Sequence, residues 1–318
     1  MEKMKAVICT KYGPPEVLQL KEVEKPTPKK NEICIKNHAT TVTSSDCILR
    51  GFNIPAWQPV GFMMGIVMGF GKPRNSILGM VATGEVDSVG RDAKRFKVGD
   101  QVLAYTVKSP TKIRLGTYAQ YTCIPEDWIV IPKPSNVTYE EAAAIPYPGE
   151  LAMFFLKKGD IQNRKNVLIV GASGSIGTTA VQISRYFGAK VTGVCSTANF
   201  ELVRSLGAET VIDYTKEDYS KRNDRYDLIL DAVPQQVADR KRFKSQAKNV
   251  LASNGKYISI DDGLAKVSYD DLVLLKDLVE SGMFKPVIDR SYPLEQMVEA
   301  HRYVETGHKK GNVIIKIF

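Results

Sequence analysis

Apolar and polar residues alternate along residues 5–10 and again along 17–22, on either side of a Tyr12-Gly13-Pro14-Pro15 turn. This two-residue period predicts short paired strands. After Pro26 and Pro28 the pattern returns at 32–37, then at 81–89, 101–105 and 116–124, with Gly, Pro and Asp between the runs. The first 125 residues therefore predict a twisted, mostly β domain. From Tyr139 the texture changes: residues 140–145 open a helix, and an apolar run at 167–170 leads through glycines into an amphipathic helix. Further strands at 190–194, 210–212, 227–231 and 255–260 alternate with helical segments, the signature of a doubly wound parallel sheet. Helices at 269–281 and 294–306 and a strand at 312–318 complete an α/β chain.

At 318 residues the chain suits two domains better than one core. Its 43% hydrophobic and 25% charged content is ordinary for a globular protein and excludes a disordered or fibrous one. The net charge of +9 would suit nucleic acid or an anionic membrane, but the basic residues are scattered and no aromatic platform interleaves them, so neither partner is expected. The longest apolar stretch, 60–70, contains three glycines and is about half a membrane span. The five cysteines, Cys9, Cys34, Cys47, Cys123 and Cys195, are widely spaced and read as free, buried thiols of a reducing compartment. The N-terminus reads as a strand and lacks the apolar run of a signal peptide, which predicts a cytoplasmic protein.

The chemistry gathers at residues 167–188. Gly171, Gly174 and Gly177 follow the strand at spacing three, where a backbone must turn sharply, approach an anion and let a helix pack on the sheet. The N–H groups that begin the helix, with its dipole, favour a pyrophosphate beside Ser173, Gly174, Ser175 and Ile176. A glycine turn alone is also common for conformational reasons, but here a complete βαβ unit surrounds it. The acidic residue that usually ends the second strand and holds the ribose hydroxyls is replaced by Cys195-Ser196-Thr197-Ala198-Asn199. Ser196, Thr197 and Asn199 can donate to a 2′-phosphate, with Arg204 and Tyr214 as helpers, and NADPH is therefore the expected cofactor. Val233 and Ile260 end strands at the carboxyl edge of the sheet, where their backbone would face the nicotinamide half.

These stretches resemble the zinc-independent quinone oxidoreductase branch of the medium-chain dehydrogenase/reductase superfamily over essentially the whole chain. The resemblance is carried by Lys5-Ala6-Val7 with Tyr12-Gly13, by Gly84-Glu85-Val86 leading to Val98-Gly99-Asp100, by Gly116-Thr117-Tyr118-Ala119 and by Glu140-Glu141-Ala142-Ala143-Ala144. It continues through Gly171-Ala172-Ser173-Gly174-Ser175-Ile176-Gly177, Ser205-Leu206-Gly207-Ala208 and Gly307-His308-Lys309-Lys310-Gly311-Asn312. It implies a GroES-like β domain over 1–125, completed by 266–318, and a Rossmann NADPH-binding domain over 126–265. It also implies an active site in the cleft between domains and a homodimer.

Zinc-dependent relatives carry a Cys near the N-terminal Ser/Thr-Asp, a later Gly-His-Glu and a lobe of four close cysteines. Here the matching stretches are Thr43-Ser44-Ser45-Asp46 and Gly79-Met80-Val81, and no C-x-x-C occurs. His38, His301 and His308 are far apart and read as packing or surface residues. What the resemblance leaves is metal-free hydride transfer to a small, apolar, electron-poor acceptor: a quinone, an enone or a 2-alkenal, whose anionic product then takes a proton. Relatives place an aromatic hydroxyl shortly after the Asp, whereas this chain has Ile48. Thr43 is the candidate hydroxyl facing the nicotinamide, and a strand-end bond to backbone is its alternative role. Asp46 is expected to cap or brace the next helix. The family's Leu-Thr-Ala at the first helix of the cofactor domain is Glu150-Leu151-Ala152 here, which leaves one cofactor contact open.

Residues 52–77, rich in Met, Gly and aromatics, read either as an adaptable apolar lid or as loop packing or a dimer contact. Two other functions stay open: a catalytically weak NADPH-binding sensor or scaffold, and a nucleic-acid-binding role suggested by charge alone.

Overall fold

The computed structural model describes residues 2–52, 62, 65, 66, 68–109, 112–234 and 240–318. Much of the 52–77 segment, and so the lid expected there, lies outside the described residues. The chain divides into two compact units, Met1–Tyr147 with Ile288–Phe318, and Pro148–Val287.

In the first unit β1 (Lys3–Cys9) and β2 (Leu18–Glu24) form an antiparallel ribbon. The centre of the unit is β3 (Glu32–Val42), an eleven-residue strand buried along almost its whole length. It is followed by β4 (Val81–Val89), β5 (Gln101–Tyr105), the small hairpin β6 (Val107–Ser109) and β7 (Lys112–Ile113), β8 (Tyr121–Pro125) and β9 (Ile129–Pro132). One edge of β3 pairs with β4, which continues to β5 and β9. Along its other edge β3 pairs first with β8 and then with a C-terminal strand, Asn312–Lys316. Ile33, Ile35, Val86, Val102, Ile124 and Val130 fill the core between these strands. Alternation along β3 sends Ile33 and Ile35 to that core, so β3 is fixed in register by burial.

The second unit is a five-stranded parallel sheet of β10 (Asn166–Val170), β11 (Lys190–Cys195), β12 (Thr210–Asp213), β13 (Tyr226–Asp231) and β14 (Leu251–Ser259), in the order β12-β11-β10-β13-β14. The chain winds outward from β10 to β12 and then returns to the other side of β10. The carboxyl end of β10 is thus the topological switch point, where such sheets bind ligands. The chain ends in the first unit with β15 (Ile288–Pro293) and β16 (Asn312–Lys316), a parallel pair joined through the Met297–Glu305 helix.

The sheets have the expected two classes, while several boundaries differ for identifiable reasons. Residues 116–120 do not extend β8: Gly116 has φ +146°, and Ala119 makes a single bridge to Ala6 of β1. The unit borders fall about twenty residues after the 125/126 and 265/266 positions expected. Residues up to 147 stay with the first unit because β9 pairs with β5 and the Thr83 hydroxyl donates to the carbonyl of Tyr139. Residues 266–287 stay with the second because Ser268 N–H donates to Glu150, Lys157 pairs with Asp271, and Lys285 N–H donates to Gln182. Two strands carry no alternation that would announce them: β9 is the unbroken run Ile-Val-Ile-Pro, and β15 is a polar edge strand. All five cysteines are free and buried. Among the described residues no helix is long and apolar enough to cross a membrane.

Candidate functional site

Chemistry-bearing residues gather in two places, one in each unit. In the second unit β10 ends in Gly171 at φ +77°, and the N–H groups of Gly171 and Ala172 both donate to the carbonyl of Val194 on β11. The turn closes with Gly174 N–H on Gly171 C=O at 3.1 Å, and the Ser175–Tyr186 helix begins there. Gly174 is its N-cap and offers no side chain, so no side-chain cap occupies the positive end of the helix. A Cβ on Gly177 would lie 2.1 Å from the Gly171 oxygen, which makes this glycine a requirement of helix-on-turn packing. A Cβ on Gly174 would meet only that oxygen, at 3.4 Å; the space above the turn is open.

Ser173, Ser196 and Asn199 are brought together by one side chain. The Asn199 amide N–H₂ donates to Ser173 Oγ at 3.1 Å and to Ser196 Oγ at 3.2 Å. Its carbonyl oxygen is buried and without a partner, an acceptor left for a ligand hydroxyl. Thr197 is turned the other way, its hydroxyl donating to Asp213 at the end of β12. Burial works against ionisation of Asp213, yet the hydroxyls of Thr197 and Thr215 hold its carboxyl below the usual range. Lys216 stands 3.9 Å away. Asp213 is the residue that sequence reasoning missed, because the strand was expected to stop at Ile212. Tyr214 packs its ring edge-on against Phe243, with 4.9 Å between ring centres. Arg204 pairs with Glu201 and lies over Phe200. Val233 approaches Gly171 and takes an Asp231 oxygen on its N–H, while Ile260 N–H donates to the Asp231 carbonyl. The cradle, a ligand-facing amide and hydroxyls on the adenosine side fit a dinucleotide.

In the first unit β3 delivers Thr43 to the start of the Ser44–Gly51 helix as its N-cap. Thr43 N–H and Oγ1–H both donate to Asp46 Oδ2, at 2.8 and 2.6 Å, and Asp46 N–H returns to Thr43 Oγ1 at 3.2 Å. This reciprocal capping box gives the Thr43 hydroxyl a structural partner. Asp46 is fully buried, and burial pushes its carboxyl up to about 6 although the Thr43 bonds pull it down. Next to it the hydroxyls of Ser45 and Tyr147 lie 2.9 Å apart, and Tyr147 is also hydrogen-bonded to Thr43. Burial raises the Tyr147 phenol to about 12, so it is a proton carrier rather than an anion at neutral pH. Ser45, Tyr147, Thr43 and Asp46 form one chain of proton-bearing groups running from a half-buried to a fully buried end.

Below this chain His301 is fully buried, not a surface residue. Cys47 S–H and an Arg50 N–H each lie 3.5 Å from its Nδ1, and burial with the Arg50 charge pushes it down to about 3. His301 is therefore neutral, with its proton on Nε2. Arg50 is anchored by the Gly13 carbonyl and Glu305. Among the described residues no three His, Cys, Asp or Glu side chains are grouped to hold a metal ion.

Comparison with known proteins adds to this geometry. Residues 29–135 match the family described as alcohol dehydrogenase GroES-like domain, and residues 175–268 and 265–315 match two families described as zinc-binding dehydrogenase. The 2-methylene-furan-3-one reductase of Solanum lycopersicum is 31% identical over 98% of this chain and 79% of its own. The chloroplastic NADPH-dependent alkenal/one oxidoreductase of Arabidopsis thaliana is 29% identical over 99% of this chain and 80% of its own. The solved structure of a quinone oxidoreductase from Coxiella burnetii superimposes with a TM-score of 0.80 at 25% identity, with both chains fully covered.

Proposed function

Because this chain belongs to the medium-chain dehydrogenase/reductase superfamily, we propose that it is a metal-free, NADPH-dependent reductase of quinones or of the C=C bond of enones and 2-alkenals. As a member it is an oxidoreductase that uses a nicotinamide cofactor on a small substrate. The reading of NADPH is carried by one observation: no carboxylate ends β11, and the Ser173 and Ser196 hydroxyls, each accepting from Asn199, keep their own protons for a phosphate. Asp213 stands nearby, but its charge is taken up by two hydroxyls and Lys216.

When bound, NADPH supplies the hydride. The chain's own residues bind and orient it. The open turn at Ser173 and Gly174 and the first helical residues, Ser175 and Ile176, receive the pyrophosphate; Ser196, Asn199 and Tyr214 take the phosphorylated ribose, while Thr197 holds Asp213; the backbone at Val233 and Ile260 serves the nicotinamide half. A reduced quinone or enolate needs a proton, and in the first unit Ser45 and Tyr147 hold one at the less buried end of a hydroxyl chain. Thr43 connects that pair to the buried Asp46 carboxyl, which accepts its hydroxyl proton and so fixes its orientation. A hydroxyl chain in the place of a metal-ligand set supports hydride transfer to an acceptor that is already electron-poor. A homodimer and a cytoplasmic location, without nucleic-acid or membrane contacts, complete the reading.

The test is steady-state oxidation of NADPH, with NADH in parallel, against a naphthoquinone, phenanthrenequinone, an enone and a 2-alkenal, before and after dialysis with a chelator. Turnover that prefers NADPH and survives chelation is expected. Binding of NADPH without turnover of any acceptor would overturn the reductase in favour of a sensor, and equal use of NADH would overturn the cofactor assignment.

A further inference from the structure

The geometry points to Cys34 and Cys123 as a redox-sensitive dithiol that closes to a cross-strand disulfide on oxidation by a peroxide. This proposal does not depend on the reductase reading.

The two residues are direct partners across β3 and β8. On one side of them Asn37 N–H donates to Gln120 C=O at 2.8 Å, and on the other Glu126 N–H donates to Asn31 C=O at 3.0 Å. Hydrogen-bonded and non-hydrogen-bonded pairs alternate along an antiparallel ladder, and Cys34 lies three residues from each of these bonded positions. The Cys34–Cys123 pair is therefore a non-hydrogen-bonded one, where Cα atoms approach to about 4.5 Å and side chains are closest. That separation lies within the roughly 4.4–6.8 Å that a disulfide spans. The two thiols already hydrogen-bond to each other.

The pair also differs from the other cysteines chemically. Burial raises the thiols of Cys9, Cys47 and Cys195. The hydrogen bond from Cys123 instead lowers Cys34, helped by the Lys25 ammonium, against burial and the Asp87 charge; Cys123 is raised correspondingly. In the proposed switch Cys34 takes the part of the attacking sulfur and Cys123 that of the resolving thiol. Ser88, whose side chain bonds Cys34, also lines an open groove of about 880 Å³ together with Thr27, Pro28 and Val89. Neither cysteine lines that groove; the pair is buried behind Ser88, and the route proposed for a small oxidant runs past this side chain.

In the first step the Cys34 thiolate attacks one oxygen of hydrogen peroxide, the O–O bond breaks, and sulfenic acid and hydroxide form, the hydroxide leaving as water. In the second step Cys123 sulfur attacks the sulfenic sulfur, its proton leaves with the hydroxyl as a second water, and the S–S bond forms. Two thiols are oxidised and one peroxide is reduced to two waters.

The experiment takes the fully reduced full-length chain, adds equimolar hydrogen peroxide, alkylates in denaturant, and reads the intact mass and the peptide map. The expected result is a loss of two hydrogens, two fewer alkylated cysteines and one Cys34–Cys123 crosslinked peptide, all reversed by dithiothreitol. In Cys123→Ala, dimedone should label Cys34 as the trapped sulfenic acid. Five alkylatable thiols after peroxide, a crosslink between other cysteines, or sulfinic acid at Cys34 without a crosslink would each overturn the proposal, and the wild-type chain alone decides among these.

Discussion

The hydroxyls of Ser45 and Tyr147 lie 2.9 Å apart, one at the start of a helix capped by Thr43 and the other about a hundred residues later in the chain. Tyr147→Phe removes the phenolic proton and keeps the ring. We expect kcat to fall by roughly 10- to 100-fold with the KM for NADPH unchanged, since general-acid groups contribute on that scale or above. Ser45→Ala should produce a loss of similar size, and the double variant little more, because the two act in series. Stopped-flow and steady-state rates measure this; full additivity of the two losses would break the relay.

Thr43→Val keeps the shape of the strand end but removes the cap and leaves Asp46 with one donor fewer. A lost cap costs about 1 kcal/mol, and the hydrogen bond lost from the Asp46 carboxyl, which keeps the residue-43 N–H, about 1.5–3 kcal/mol more. Thermal or urea unfolding should show the sum, and Thr43→Ser should restore most of it.

The glycine turn separates two effects. Gly177→Ala drives a Cβ to 2.1 Å from the Gly171 backbone oxygen, and a misfit of this kind costs about 1–3 kcal/mol or more. Gly174→Ala, with its Cβ at 3.4 Å, should leave stability within about 0.5 kcal/mol and act on the ligand instead. We expect its Kd for NADPH to rise at least tenfold by calorimetry. Unchanged affinity would mean that the turn is not the phosphate site.

Ser196→Asp restores an acidic residue after β11. Set against a 2′-phosphate it should lower the NADPH-to-NADH ratio of kcat/KM by about two orders of magnitude, the scale of removing one hydrogen-bonded charge contact and adding a repulsion. Parallel kinetics with both coenzymes measure it, and an unaltered ratio would place the phosphate elsewhere.

Glu150 is buried, with one oxygen accepting from Ser268 N–H and the other without a partner, and burial raises its carboxyl from 4.5 to about 8. A raised folded value means that the native state holds the proton more tightly than the unfolded chain. Its contribution to stability is therefore full below the unfolded value and is lost as pH rises through about 8. Unfolding free energies of wild type and Glu150→Gln should diverge between these limits, with the Gln variant showing the flatter profile. Identical profiles would show that Glu150 does not titrate in this window.

Much of this architecture is legible in the order of residues. Gly171 and Gly177 sit where a positive φ and a tight helix-on-turn contact demand glycine, and the apolar positions of β3 and β4 recur at the period of a strand. Strand β9 and the polar edge strand β15 carry no such period, since what makes them strands is pairing with β5 and β16. That Ser173, Ser196 and Asn199 meet is legible too, because a βαβ unit fixes where its strand ends fall. Thr197 was not, because its partner Asp213 comes from a neighbouring strand.

The two fold classes, the glycine turn and the lack of a zinc-ligand pattern are written within short windows of the sequence, by backbone sterics and periodicity. Packing of the folded chain is what makes Thr43 cap the helix onto Asp46, brings Tyr147 to Ser45, buries a neutral His301 beside Arg50 and sets Cys34 opposite Cys123. The last three of these relations join residues about ninety or more positions apart. Hydrogen-bond partners and pKa values arise from burial and contact, which no local pattern records.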